Sequence, residues 1–240
     1  FRTRMARKAR GFEAPYACVE CIEAAVTLPF SDGLQKERQI FQKLVTSDQA
    51  KAQRHVFFAE RRARKIKDVP KDTPTTRIES AAVIGCGTMG AGIAMTLANA
   101  GIPVTVLETS QQSLRKGVDT IHHTYSATLS KGRLSQTGLD ERMARIKPTL
   151  HYDDVHDVDI VIEAVFENLE AKRQVFQTLD RTCKPETILA TNTSTLNIND
   201  LAAVTKRPNK VIGTHFFSPA NVMRLMENVR GTETSRETIA

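Results

Sequence analysis

The chain has 240 residues, 40% hydrophobic and 25% charged, the balance of an ordinary globular protein with one sizeable core or two modest ones. No run of 18 apolar residues occurs, which excludes a membrane-spanning helix. The formal charge of +7 sits wholly in residues 1–80, with 17 Lys/Arg against 10 Asp/Glu, while residues 81–240 carry 17 of each. A basic arm can bind phosphate backbones, but no nucleic-acid motif accompanies it and Trp is absent, so no nucleic-acid partner is expected.

The sequence opens on Phe1, and Arg2, Arg4, Arg7, Lys8 and Arg10 precede no apolar h-region. No secretory signal is therefore expected, and the missing Met reads as a piece of a longer protein. Residues 14–28 show helical apolar spacing up to Pro29, with Cys18, Cys21, Ile22, Ala25 and Val26 on one face. The Cys18–Cys21 pair lacks two further ligands for zinc, so no metal is expected, and both thiols are read as small, buried and reduced. A second helix over 32–45 carries the stripe Leu34, Ile40, Phe41 and Leu44. A third, capped by Ser47 and running through Lys65, is expected to bury Val56, Phe57 and Phe58. Three striped helices without a strand need a partner surface. The stretch 67–76, KDVPKDTPTT, has linker composition.

Beyond it, apolar bursts alternate with helical patterns. AAVI (81–84), VTVL (104–107), DIVIEAV (159–165), TILAT (187–191) and KVIGTHFF (210–217) read as strands. Helices are expected at 88–100, 110–130, 168–183 and 197–204. The expectation is an α/β fold, a Rossmann-type doubly wound, mostly parallel sheet preceded by a short all-helical segment. Residues 1–66 form the helical segment, 67–77 the linker and 78–240 the dinucleotide-binding domain. Ile239 and Ala240 read as the start of a further helix.

Gly85-Cys86-Gly87-Thr88-Met89-Gly90 follows the first strand and opens a helix, and Glu108 ends the next strand. That context makes the glycines a dinucleotide fingerprint rather than a chance turn. Gly85 permits the tight turn, Gly87 lets backbone approach the pyrophosphate, and Gly90 allows close helix–strand packing. The phosphates would lie at the N-terminus of the helix from Thr88. A carboxylate at 108 accepts both ribose hydroxyls and repels a 2′-phosphate, which favours NAD over NADP. Farther on, Ser218-Pro219 breaks a strand between His215 and Glu227, so two extended segments folding back would set these side by side. A carboxylate holding an imidazole suits a general base acting on an alcohol.

VIGCGTMGAGIA, VIEAVFENLEAK, TNTSTL and THFFSPANVMRLMENV together resemble the NAD-binding domain of L-3-hydroxyacyl-CoA dehydrogenase, over residues 79–234. APYACVECIEAAVTLPF, GLQKE and FFAERRARK are similar to the join between the hydratase and dehydrogenase halves of bifunctional fatty-acid oxidation enzymes. The resemblance implies oxidation of L-3-hydroxyacyl-CoA to 3-ketoacyl-CoA, with His215 as base, Glu227 orienting it and Ser194 bonding the substrate oxygen. It places Glu167 and Lys172 beside the NAD ribose and nicotinamide, and Met89 at the pyrophosphate turn. Ser218 stands where many members carry an asparagine near the nicotinamide. It implies acyl-CoA as partner molecule, a hydratase domain and a C-terminal helical domain as packing partners, and a cytoplasmic location, peroxisomal in a eukaryote. Two alternatives remain: another hydroxyacid dehydrogenase, or a module that binds NAD without turnover.

Overall fold

The computed structural model describes Thr3 and residues 6–63 and 65–240; Phe1, Arg2, Arg4, Met5 and Arg64 lie outside the described residues. The chain divides into two compact units, residues 1–70 and 71–240.

The first unit is helical. Helix α1 spans Ala14–Thr27, α2 Phe30–Thr46 and α3 Asp48–Ala63. Pro15 sits in the first turn of α1, where its missing N–H costs nothing. Ser47 closes one helix and opens the next: its hydroxyl donates to the Leu44 carbonyl at 2.7 Å and accepts the Ala50 amide at 3.1 Å. The apolar stripes, however, are not buried. Val56, Phe57 and Phe58 are about half exposed, and Ile22 and Val26 still more so. Cys18 is exposed and Cys21 half-buried, so the buried-thiol expectation fails for this pair. The reason is physical: periodicity specifies which face is apolar, and no described element of this unit covers those side chains.

The second unit is a seven-stranded sheet. Its strands are β1 (Ala81–Ile84), β2 (Val104–Leu107), β3 (Ile146–Thr149), β4 (Ile160–Glu163), β5 (Ile188–Thr191), β6 (Val211–Phe216) and β7 (Met226–Arg230). They lie in the order β3-β2-β1-β4-β5-β6-β7, parallel except for β7. All four residues of β1 are buried, as a strand covered on both faces requires. The helices are α4 (Thr88–Asn99), α5 (Gln111–Ser130), α6 (Gln136–Ala144), α7 (Leu169–Thr182), α8 (Ile198–Ala202) and α9 (Arg236–Ile239). Ser110, Ser135 and Asn168 cap α5, α6 and α7 through their side chains. One apolar cluster joins Ala82, Leu107, Val161, Phe176, Leu189 and Val211.

Strand order reverses between β1 and β4, and such a switch point opens a crevice beyond the carboxyl ends of the strands. Everything discussed below as a site lies at those ends.

Candidate active site

The glycine loop follows β1. Gly85 has φ +96°, and a Cβ there would stand 2.9 Å from the Ala164 carbonyl oxygen. At Gly90 a Cβ would lie 1.8 Å from the Gly85 carbonyl oxygen, so α4 can start this close to the strand only without a side chain. Gly87 differs, because a Cβ there would meet nothing within 4 Å. The protein does not require that glycine, whereas a ligand lying against the backbone would. Gly87 is also the N-cap of α4 and no side chain caps the helix, which leaves its first amides for an anion. These residues fit a dinucleotide pyrophosphate.

Glu108, just past β2, clasps this loop. Its carboxylate accepts the Cys86 amide at 2.7 Å and the Thr109 amide at 3.0 Å. Burial, helped by the Glu108 charge, pushes the Cys86 thiol up to about 11 and keeps it protonated. A cleft of about 540 Å³ is lined by Gly85, Gly87, Thr88, Met89 and Glu108, with Tyr152 and Phe166 opposite. A neighbouring cleft of about 430 Å³ shares Gly87, Thr88 and Glu108 and is closed by Pro219 and Asn221. Ser218 is exposed at the edge of that turn.

Beyond β4 and β5 lies an ion-pair network that sequence reasoning found only in part. Lys172 of α7 is 1% exposed and Glu163 at the end of β4 is fully buried; the ammonium lies 2.7 Å from the Glu163 carboxylate. Thr191 donates to the other oxygen of Glu163 at 2.6 Å. Lys172 also lies 3.3 Å from Glu167. Glu167 in turn accepts the Thr193 hydroxyl, the Ser194 amide at 2.9 Å and the Ser194 hydroxyl at 3.3 Å. Partial burial pushes the Glu167 carboxyl up, but the Thr193 and Ser194 bonds and the Lys172 charge outweigh it and hold it below its usual range. Lys172 thus lies inside the fold, with Glu167 between it and solvent-exposed Ser194. Glu163 was missed, and Thr191 and Thr193 stood in the TNTSTL motif without a role of their own. A glutamate ending an apolar strand, nine residues before a lysine on a buried helical face, was the available signal.

His215 lies near the end of β6, directly opposite Glu227 of β7 in antiparallel register. Its Nδ1 is 2.9 Å from a Glu227 oxygen, and its ring packs on Phe217 at 4.7 Å between centroids. The structure therefore brings His215 and Glu227 together as the spacing suggested. Ser194 lies in the loop three residues past the end of β5, the strand beside β6. Neither cleft beside the glycine loop is lined by Ser194, His215 or Glu227. No group of His, Cys, Asp and Glu able to hold a metal occurs among the described residues, and none of their helices is long and apolar enough to cross a membrane.

Residues 80–240 match the family model described as 3-hydroxyacyl-CoA dehydrogenase, NAD binding domain. The chain belongs to this family. Its fold, its fingerprint and its cofactor class are those of an NAD-binding dehydrogenase domain. Among curated proteins it is 42% identical to the peroxisomal bifunctional enzyme of Danio rerio, over 98% of this chain and 32% of that protein. It is 38% identical to a peroxisomal fatty acid beta-oxidation multifunctional protein of Arabidopsis thaliana, over 93% of this chain and 31% of that protein. The chain thus spans about a third of the length of these relatives. Among solved structures, the 3-hydroxybutyryl-CoA dehydrogenase of Escherichia coli is 38% identical, with TM-score 0.67, over 68% of this chain and 35% of that one. The dehydrogenase part of multifunctional enzyme 1 from C. elegans is 30% identical, with TM-score 0.65, over 73% of this chain and 41% of that one.

Proposed function

We propose that this chain is the NAD-binding part of an enzyme that oxidises L-3-hydroxyacyl-CoA to 3-ketoacyl-CoA in fatty-acid β-oxidation. The observation that carries the reading is the His215–Glu227 contact at the carboxyl end of the sheet that holds the dinucleotide loop. With Nδ1 engaged by the carboxylate, Nε2 is the nitrogen that takes the substrate's hydroxyl proton. Glu227 offsets the positive charge that then forms on the imidazole. Ser194 bonds the same substrate oxygen and holds it in line with His215. NAD, when bound, supplies the hydride acceptor. Gly85–Gly90 hold its phosphates, Glu108 its adenosine ribose, Met89 the pyrophosphate turn, and Glu167 with Ser218 the nicotinamide end, Lys172 acting behind Glu167.

The names of the relatives support a wider context. Residues 1–66 are read as the tail of a hydratase half and its connecting helix, 67–77 as the linker, and 78–240 as the dehydrogenase's NAD-binding domain. The exposed stripes of α1–α3 would pack on the hydratase half, and a C-terminal helical domain would complete the substrate cleft. Location in a eukaryote would be peroxisomal. The span of about a third of its relatives favours one alternative, that this piece binds NAD without turning over by itself.

The test is His215→Gln in the full-length protein, assayed by NADH-dependent reduction of acetoacetyl-CoA. Turnover should fall by about 10²–10⁴-fold, the usual worth of a general base, with NADH affinity nearly unchanged. Glu227→Gln should cost less, and the double variant far less than the product of the two losses, because the pair acts as a unit. A His215 variant keeping more than half of normal kcat would mean the base is elsewhere.

A further inference from the structure

Two groups assigned to one substrate oxygen, Ser194 and His215, come from different strands. Strand β5 pairs with β6 only as far as Thr191 opposite Gly213, whereas β6 runs on to Phe216. The part of β6 that carries His215 therefore continues past its last β5 partner. One side chain bridges the gap. Asn192 keeps its backbone in the sheet, its amide donating to the Glu163 carbonyl at 2.8 Å. Its side-chain Oδ1 accepts the backbone amide of Phe216 at 2.9 Å. The amide oxygen thus stands where the next ladder carbonyl would have stood. It ties the residue after His215 to the residue two before Ser194.

On the other side, β7 holds the same segment through the pairs His215–Glu227 and Phe216–Met226. The Ser194 loop is held separately, by Glu167 accepting the Ser194 amide and hydroxyl. Each half of the constellation thus has its own support. The Asn192 bond is the direct cross-tie between them.

We propose that Asn192 is a positioning residue for the dehydrogenase reaction, fixing the distance between Ser194 and His215 so that both reach a single substrate oxygen. The proposal rests on the assignment of those two residues in the function proposed above. It does not make Asn192 a catalytic residue, since it acts through the main chain of Phe216. Asn192→Leu keeps the side chain's size and removes the acceptor; Asn192→Asp keeps an acceptor oxygen at the same place.

The experiment compares Asn192→Leu, Asn192→Asp and His215→Gln in the full-length protein, with acetoacetyl-CoA and NADH as probes. Asn192→Leu should lower kcat by about 10–100-fold, the scale of a slightly misplaced catalytic group, with NADH binding unchanged. Asn192→Asp should recover most of that loss. In this chain alone, the Phe216 amide should exchange with solvent faster in Asn192→Leu than in wild type, and wild-type protection should return in Asn192→Asp. A purely structural role would instead weaken NADH binding and thermal stability together with kcat, and that parallel loss would overturn the proposal. So would Asn192→Leu turning over within about twofold of wild type. If His215→Gln is itself nearly fully active, the underlying assignment has failed; if only the Asn192 variants are unaffected, the cross-tie alone has.

Discussion

The helical unit and the sheet unit treat the same kinds of residue in opposite ways. Phe57 and Phe58 of α3 are about half exposed, whereas Phe176 of α7 is fully buried. Lys36 and Glu20, linking α2 to α1 at 2.8 Å, keep side chains 43% and 50% exposed, whereas Lys172 and Glu163 form their pair almost without solvent. The residue types match and the consequences do not. An exposed pair is screened and gains little, while a buried pair constrains everything it touches. The sheet unit can thus hold a catalytic arrangement in place, while the helical unit offers a face.

The sharpest way to press this contrast is to break one pair in each unit. Glu163→Gln removes the nearer and fully buried carboxylate and leaves the Lys172 ammonium only Glu167 at 3.3 Å, which should cost about 3 kcal/mol in urea unfolding. Adding Lys172→Met should recover part of that loss, because the buried ammonium that has lost its nearer carboxylate is then gone. Glu20→Gln should leave the unfolding curve where it was. Equal effects at the two pairs would erase the distinction between the units.

Hydrogen exchange tests the same contrast without mutation. Amides of residues 34–58 should exchange well before those of residues 81–107, since few buried apolar contacts oppose local opening in the helices. The expected gap is at least about tenfold in protection, equivalent to about 1.4 kcal/mol of opening free energy. Equal protection in a proven monomer would mean that the helices close a core of their own.

What was legible in the sequence divides along the same line. The buried parallel strands announce themselves as short apolar runs, and β1, β2 and β5 fall within a residue of the expected positions. Strand β3 escaped notice because IKPT carries Lys147 and Pro148 outward at the sheet edge, where a strand needs neither apolar continuity nor every N–H. Helix α6 escaped because Leu139 is its only buried residue. The helical stripes were read correctly as needing a partner surface, but Val56, Phe57 and Phe58 wrongly as buried, since a covering surface is not a local property. The glycine loop was legible because its reasons are local. Glu163, Thr191 and Asn192 were not, because each acts through a partner brought up by another element.

Within the sheet unit, Glu108 clasps the glycine loop and, in the function proposed above, also selects the nucleotide. Glu108→Ala frees the Cys86 and Thr109 amides it now accepts and, if the proposed role holds, removes the charge that would disfavour a 2′-phosphate. NADH should bind more weakly by about 1–2 kcal/mol, the scale of a lost charged hydrogen bond. NADPH should lose less, so calorimetry should find the gap between the two nucleotides narrowed. An unchanged gap would remove Glu108 from nucleotide selection.

A comparable effect, fading at low pH, concerns the point where the sheet unit begins. Asp159, just before β4, accepts the amides of Glu79 and Ser80 at 2.9 and 3.0 Å on one oxygen and Lys184 at 2.9 Å on the other. Partial burial pushes its carboxyl up, but the Lys184 bond and the two amides outweigh this and hold it at about 2, below the ordinary 3.8. A carboxylate depressed on folding stabilises the fold above its unfolded pKa, and that stability drains away as pH falls through the folded value. The window therefore runs from about pH 4 down to about pH 2. Asp159→Asn should cost about 1–2 kcal/mol near neutral pH, the scale of a charged hydrogen bond. The variant's urea midpoint should fall less steeply across that window, so the two proteins converge as the wild-type carboxyl takes up its proton. Amides at residues 79–81 should lose protection in the same range, ahead of β4 and β5. Parallel pH profiles would show that the start of the sheet unit is fastened by something other than this carboxylate.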